Sequence, residues 1–360
     1  MRRLVPLAAL LILLCAIAGT ASAARLYTPT YYDEPQAVGG FGVNADGSLT
    51  PLPGSPFGIA SGPALKASGI GGFAFAPDGR RAAVSYFFDG GAQGLSLDPD
   101  GAVAPAQEPL EGPRQHGIAI SPDGRFAYGV GEGVVGYSVG SDGALTPLPG
   151  SPFGPGTYLD AAISPDGRFL FATTTLGVQA FALAADGSAT ALGFTTVANA
   201  YYLQTAPDSP LLYVVSSHNT GTGVTPFAIG PDGGLSQRGE IAETGDLSLE
   251  YIGVSPDNKH IYMPDSNLDG IVTADVAADG SLTVAGTLPV ENAEAAAVSP
   301  DGRFLYWWQG GGSNNHLGVA AIAADGSLTM LPFETEWETG EPERLVFQPQ
   351  PTPVARFAGK

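Results

Sequence analysis

The chain has 360 residues, of which 44% are hydrophobic and only 14% are charged, and its formal net charge is −20. The hydrophobic content excludes an intrinsically disordered protein, and the negative charge argues against nucleic-acid partners and anionic membrane surfaces. Glycine and proline occur 51 and 31 times, and they interrupt the chain too often for long helices. The apolar segments between them are short and β-like, so the sequence predicts an all-β protein.

The N-terminus has the pattern of an export signal. Arg2 and Arg3 precede an apolar run over residues 4–18, and the small-residue site Ala21-Ser-Ala follows. The apolar run is short for a membrane span, and its flanks are those of a cleaved signal. We therefore predict a signal peptide over residues 1–23.

The remaining segment, 24–360, is predicted to be a single exported domain, periplasmic or extracellular, with no membrane insertion after signal cleavage. Its only cysteine, Cys15, leaves with the signal. This excludes disulfides, a cysteine-based zinc site and a cysteine nucleophile in the mature chain.

Two turn motifs recur along the mature chain. The first is Ser/Ala-Pro-Asp-Gly-Arg followed by an aromatic-rich segment, and it begins at Ala76, Ser121, Ser164 and Ser299, with degenerate copies at Ala206 and Ser255. The second is an Asp-Gly turn, which occurs at Asp46, Asp100, Asp142, Asp186, Asp232, Asp279 and Asp325. Proline presets the first turn dihedral and glycine accepts a positive φ, so both motifs specify tight turns between strands.

The spacing of these turns predicts the architecture. Each period of roughly 45 residues holds four strands, which is typical of one blade of a β-propeller. Seven periods predict a seven-bladed propeller with four antiparallel strands per blade. After the predicted signal comes Arg25-Leu-Tyr-Thr, which matches a second strand, and near the C-terminus Arg344-Leu-Val-Phe-Gln-Pro matches a first strand. We therefore expect the C-terminal strand to join the N-terminal blade and close the ring.

The repeated unit resembles a known family. Ser-Pro-Asp-Gly-Arg-Phe-Leu-Tyr from Ser299, a loop, a Val-containing strand and Asp-Gly-Ser-Leu-Thr are similar to the seven-bladed propeller lactonase family, often named after 6-phosphogluconolactonase. The resemblance extends over nearly all of residues 24–349. It implies a hydrolase acting on a lactone, without a required cofactor.

Candidate site residues are expected where each inner strand begins, because propeller ligands usually meet the mouth of the central channel on that face. Counting six residues back from each strand-ending proline gives Gly71, His116, Leu159, Tyr201, Glu250, Glu294 and Glu343. Most titratable groups near the strand entries fall in this column. Converging carboxylates repel one another, so a nearby arginine or a bound cation is expected beside them.

If the protein is a lactonase, we predict the following roles for these side chains. His116, Glu294 and Glu250 are the candidates for acid–base catalysis of water attack. The candidates for substrate binding and charge compensation are Arg114, Tyr201, Glu343 and Arg344, an arginine being suited to stabilise the oxyanion.

The candidate site residues match the family pattern only in part. Lactonase relatives carry a His-Pro-His-like stretch before one inner strand; here His116 matches its second histidine, and Arg114 stands in place of the first. The position of a family arginine after an aromatic-rich strand is held by Gln309. Arg344 falls one residue out of register with another family arginine.

Two alternatives remain open at this stage. The same face of the propeller would suit non-catalytic binding of a protein, glycan or cell-envelope partner. A divalent-metal lactonase would instead hold a cation with Glu250, Glu294, Asn199 and Asn292.

Overall fold

The computed structural model describes residues 24–30, 36–59, 69–218, 221–244, 251–266, 270–310, 316–336 and 344–350. The predicted signal peptide lies outside these ranges, so it stays a prediction. Within the described ranges there is no helix long and apolar enough to cross a membrane.

Strands are the only regular elements of the described chain, and they follow one another blade by blade. The first blade has β1 (Arg25–Pro29), β2 (Ala37–Val43), β3 (Leu49–Pro51) and β4 (Phe57–Gly58), and the second has β5 (Ile70–Phe75), β6 (Arg81–Tyr86), β7 (Ala92–Leu97) and β8 (Val103–Pro105). The third has β9 (Gln115–Ile120), β10 (Phe126–Val139), β11 (Leu145–Pro147) and β12 (Phe153–Thr157). The fourth has β13 (Ala161–Ile163), β14 (Phe169–Thr174), β15 (Gly177–Leu183) and β16 (Ala189–Thr196). The fifth has β17 (Ala200–Thr205), β18 (Leu211–His218), β19 (Gly221–Ile229), β20 (Leu235–Gln237) and β21 (Ala242–Glu243). The sixth has β22 (Gly253–Val254), β23 (His260–Asp265), β24 (Gly270–Val276) and β25 (Leu282–Pro289). The seventh has β26 (Ala293–Val298), β27 (Phe304–Gln309), β28 (His316–Ile322) and β29 (Leu328–Glu336), and β30 (Val346–Phe347) follows.

These strands form seven separate antiparallel sheets, which confirms the seven-bladed propeller. The ring closes as predicted, because β30 pairs with β1 of the first blade, with Phe347 opposite Leu26 and Val346 opposite Tyr27. The backbone N–H of Gln348 adds a hydrogen bond to the Arg25 carbonyl at 2.9 Å. The first and the last strand of the described chain therefore share one sheet.

The third blade departs from the predicted pattern. Its second and third strands are one continuous element, β10, with the exposed Glu132 at its middle and Gly133 at a φ of 93°. The N–H of Val139 donates to the Arg125 carbonyl at 2.8 Å, so the element doubles back on itself. A tight turn at Glu132-Gly133 thus replaces the loop expected between these strands.

The turns that begin with serine share hydrogen bonds of the serine hydroxyl, seen clearly in the fourth blade. The buried hydroxyl of Ser164 donates to Oδ1 of Asp166 at 2.6 Å and accepts the N–H of Phe169 at 3.0 Å. Arg168 Nε donates to the other carboxylate oxygen at 2.7 Å, and its guanidinium lies 4.9 Å from the Phe169 ring. Burial would raise the pKa of Asp166, but the hydrogen bonds from Ser164 and Arg168 outweigh it and the pKa is lowered.

Tyrosines of the second strands connect neighbouring blades. Tyr27, Tyr128 and Tyr262 donate their hydroxyls to the glycine carbonyl in the Asp-Gly turn of the following blade. Tyr306 of the seventh blade does the same with Gly47 of the first, at 2.8 Å. This last hydrogen bond connects the seventh blade to the first and so contributes to ring closure.

The hydrophobic core lies between the blades. Buried apolar side chains form seven clusters, and each cluster combines residues of two adjacent blades, including the seventh and the first. One blade cannot bury both of its faces alone, so stability comes from closing the ring.

Candidate functional site

A central channel runs along the axis where the inner strands of all seven blades meet. It contains a cavity of about 420 Å³. One ring of its wall comes from the residues three positions before each strand-ending proline, namely Ala74, Ala119, Ala162, Gln204, Gly253, Ala297 and Val346. Most of these side chains are small, and this is why the channel stays open at their level. We call these seven residues the channel ring.

Three residues of the predicted catalytic column lie on inner strands at the end away from the turns: His116 on β9, Tyr201 on β17 and Glu294 on β26. None of the three is among the residues that line the cavity, and their location at the channel mouth stays a prediction. Glu250 and Glu343 lie outside the described residues. The roles of all five stay predictions.

One position further along, four of the seven inner strands carry large or charged residues that form a layer at one end of the cavity. Arg344, next to β30 of the first blade, donates from Nη2 to Oδ1 of Asp160, next to β13 of the fourth blade, at 2.9 Å. The Asp160 side chain is only 1% exposed, and its Oδ2 accepts the N–H of Leu203 at 3.1 Å. Because three blade steps separate the two residues in the ring of seven, the ion pair crosses the channel.

Two tyrosines complete this layer. The Arg344 guanidinium lies 4.1 Å from the centre of the Tyr251 ring, and that ring is 4.4 Å from the ring of Tyr202. Burial disfavours the charged guanidinium, but the interactions with Tyr251 and Asp160 outweigh this, and the pKa of Arg344 is raised. Asp160, Tyr202, Tyr251 and Arg344 are called the channel plug below.

Sequence reasoning missed Asp160, because the column was counted one residue away, at Leu159. Shifting the count by one residue places Asp160 and Arg344 at equivalent positions of two inner strands. Opposite charges at one level of a propeller channel are therefore the signal that would have predicted the pair. Arg344 was expected to compensate the glutamates, and the described partner of its charge is Asp160.

His116 is half-buried near the start of β9. Its ring packs edge-on against Phe87, with ring centres 4.5 Å apart, and Phe88 packs on Phe87 at 4.7 Å. Burial lowers the pKa of His116, the positive charge of Arg114 lowers it further, and Glu132 opposes both. The imidazole is therefore neutral at pH 7 and able to accept a proton.

The local backbone explains how these groups are placed. The N–H of Glu132 donates to the Arg114 carbonyl at 3.0 Å, so the tight turn of β10 lies beside the segment that leads into β9. Gly71 and Gly72 allow β5 to approach this strand, because a Cβ added at Gly71 would lie 2.5 Å from the carbonyl oxygen of Gln115. The close approach brings the second blade, with Phe87, against His116.

Glu294 and Tyr201 belong to other blades than His116, on β26 and β17. A Cβ added at Gly310 would lie 2.6 Å from Oε1 of Glu294, so the carboxylate rests against a glycine at the end of the next strand. Tyr201 is 39% exposed, and its carbonyl accepts the Thr173 hydroxyl at 2.7 Å. His116, Tyr201 and Glu294 therefore lie on the inner strands of three different blades.

The divalent-metal alternative needs a cluster of side chains that can bind a cation. No group of three or more His, Cys, Asp or Glu side chains that could hold a metal ion occurs in the described part of the chain. Asn199 and Asn292 adopt left-handed φ values of 48° and 50° in the turns that precede β17 and β26. Since Glu250 is outside the described residues, the divalent-metal alternative stays a prediction.

Comparison with known proteins confirms the family resemblance. Residues 171–293 match the family described as Lactonase, 7-bladed beta-propeller. The periplasmic gluconolactonase PpgL of Pseudomonas aeruginosa has a similar structure, with a TM-score of 0.72 and 20% identity over 92% of this chain and 100% of that chain.

Further solved structures have the same fold. A candidate 6-phosphogluconolactonase from Bacteroides fragilis gives a TM-score of 0.72 with 18% identity, covering 92% of this chain and 99% of that one. A protein from Lactobacillus plantarum gives 0.71 with 16% identity, covering 90% and 99%. No curated protein matches the chain significantly in sequence. The chain thus resembles lactonase-family propellers.

Proposed function

We propose that this protein is an exported hydrolase that opens a carbohydrate-type lactone or a similar cyclic ester at the channel mouth. The observation that carries the proposal is His116 on the inner strand β9 of a lactonase-type propeller, a half-buried imidazole whose pKa is lowered by burial and by the charge of Arg114, with Glu132 opposing. The names of the two gluconolactonase-type neighbours support the same substrate class.

The reaction needs one base and one site for negative charge. His116 takes a proton from water as the water oxygen bonds to the lactone carbonyl carbon, and the carbonyl oxygen becomes negative. The ring C–O bond then breaks, and the imidazolium returns the proton to the departing alkoxide. The product is the open hydroxy acid, and atoms and charge balance without a cofactor.

Arg114 is better suited than Arg344 to stabilise the oxyanion. Arg114 is exposed beside His116 and influences its pKa, whereas the charge of Arg344 is already compensated by Asp160 in the channel plug. Glu294 lies on the opposite part of the mouth, where it shares the acid–base work, and Tyr201 offers a hydroxyl to the substrate. Glu250 and Glu343 would position the substrate or a cation.

A lactone panel tests the proposal. The purified protein is assayed with sugar lactones and with an unsubstituted alkyl lactone, and hydrolysis of at least one sugar lactone above the spontaneous rate is expected. His116→Ala should lower kcat by ~10²-fold or more, as loss of a general base does. Glu334→Ala, on the outer strand β29, serves as the control. Absence of turnover across the panel, or full activity of the His116→Ala/Glu294→Ala double variant, would contradict the proposal.

A second function has one observation in its favour. Three large apolar or aromatic side chains are exposed on the mouth side of the blades: Phe88 at 37%, Leu176 at 71% and Tyr201 at 39%. Such side chains suit a partner of the cell envelope. If no lactone is hydrolysed, the native protein should bind purified envelope fractions. A Leu176→Ser/Phe88→Ser variant should bind them less.

A further inference from the structure

The channel contains a polar side chain that has no hydrogen-bond partner among the described residues. Gln204 projects from β17 into the channel ring, is partly exposed there, and makes no side-chain hydrogen bond with any described residue. The other six members of the ring are alanine, glycine or valine. One amide in an apolar ring is an arrangement typical of small-ligand sites, in which few polar groups fix the orientation of a mainly apolar molecule.

The cavity opens on the face that carries the Pro-Asp-Gly turns. Its lining reaches Pro122 in one of these turns, and its rim there includes Phe75, Ile120 and Phe347, each two residues before a strand-ending proline. At the other end the lining stops at Tyr251 and Arg344 of the channel plug. A ligand in the cavity would therefore be separated by the plug from anything bound beside His116.

The charges at the cavity indicate an uncharged ligand. Arg344 is the one charged side chain among the lining residues, and the buried carboxylate of Asp160 already neutralises it. A carboxylate ligand would have to lose its hydration and compete with Asp160 for the guanidinium. A neutral ligand loses less hydration.

We propose that the channel is a second binding site, which takes a small uncharged molecule with an apolar body and one amide or hydroxyl group. The ligand enters from the turn face and hydrogen-bonds to Gln204, whose amide offers one donor and one acceptor side, while its apolar body packs on Ala119, Ala162 and Ala297. The cavity volume of about 420 Å³ is within the usual range for small-molecule pockets.

Benzamide and benzyl alcohol are suitable probes, with benzoate as the charged counterpart. Titration calorimetry and ligand-observed NMR on the full chain should detect one site for the neutral probes and none for benzoate. Gln204→Leu removes the amide at similar volume and should weaken benzamide ~10-fold, the loss of about one hydrogen bond. Gln237→Leu, the same exchange on the outer strand β20, should leave the affinity unchanged.

A further variant blocks the channel itself. Ala162→Phe places a ring in the lumen and should abolish binding, and Gln204→Leu remains decisive if that variant does not fold. His116→Ala and an excess of a sugar lactone should not change benzamide affinity, which separates this site from the channel mouth. The proposal is overturned if neither neutral probe binds the native protein, if Gln204→Leu binds benzamide as well as the native chain, or if the lactone displaces benzamide.

Discussion

Arg344 and Asp160 are 184 residues apart in sequence, and their side chains form an ion pair of 2.9 Å across the propeller channel. One belongs to the blade that closes the ring, the other to the fourth blade, so the pair forms only when all blades are in place. Tyr251 covers the guanidinium from one side, and Leu203 donates to the carboxylate. Closure of the ring and closure of the channel are thus one structural event.

Breaking this pair should destabilise the fold. Asp160→Leu leaves a guanidinium without its counter-charge in the channel, and Arg344→Met leaves a buried carboxylate, so each should lower the free energy of unfolding by about 3–5 kcal/mol. The Asp160→Leu/Arg344→Met double variant should lie closer to the native value than either single variant. Urea unfolding of the four proteins measures the coupling, and additive losses would show that the two charges are not coupled.

The tyrosine that closes the ring on its outer side should contribute a measurable hydrogen bond. Tyr306→Phe removes the bond to Gly47 and should lower the free energy of unfolding by about 1–2 kcal/mol. Tyr213→Phe is the matched control, because the buried Tyr213 hydroxyl has no hydrogen-bond partner among the described residues. Equal losses in both variants would mean that the bond to Gly47 contributes nothing specific.

His116 should make stability depend on pH. Its folded-state pKa is lowered, so near pH 6 the unfolded chain binds more protons there than the folded chain. The free energy of unfolding therefore falls as pH drops below the unfolded pKa of about 6.5. His116→Gln should flatten this decline between about pH 7.5 and about pH 5 in urea titrations. An unchanged slope would contradict the lowered pKa.

The same shift predicts the pH profile of catalysis. If His116 is the base, its neutral form is active, and kcat/KM for a sugar lactone should decrease on the acid side, with a midpoint below the ordinary histidine value. Arg114→Gln removes a positive neighbour and should move that midpoint to higher pH. A profile that does not move in Arg114→Gln would argue against His116 as the base.

The serine of the repeated turn should contribute to the stability of the fold through its hydroxyl group. Ser164→Ala removes a buried hydroxyl that both donates to Asp166 and accepts the N–H of Phe169, so a loss of about 1–3 kcal/mol is expected. Ser96→Ala, whose hydroxyl reaches the Ala104 carbonyl only at 3.5 Å, should change stability by about 0.5 kcal/mol or less. Thermal unfolding of both variants tests the difference.

The sequence alone determined the blade number, the position of the turns and the closing of the ring by the last strand. These features depend on local chemistry, since a Pro-Asp-Gly turn such as that at Ser164 requires only the residues within it. The tyrosine hydrogen bonds between blades were not predicted, and they form only in the first, third, sixth and seventh blades of the described chain. The doubled strand β10 was not foreseen, because its tight turn uses Glu132-Gly133 where the other blades have loops.

The tertiary structure alone decided which residues meet at the axis. A count that is one residue out along an inner strand selects Leu159 in place of Asp160. The local sequence does not determine which of the two side chains faces the channel, because the turn and the strand length are compatible with both. Only the approach of the first and fourth blades shows that Arg344 has a carboxylate across the channel. The reason is physical: side chains facing a shared axis are selected by the packing of whole blades, which no short segment contains.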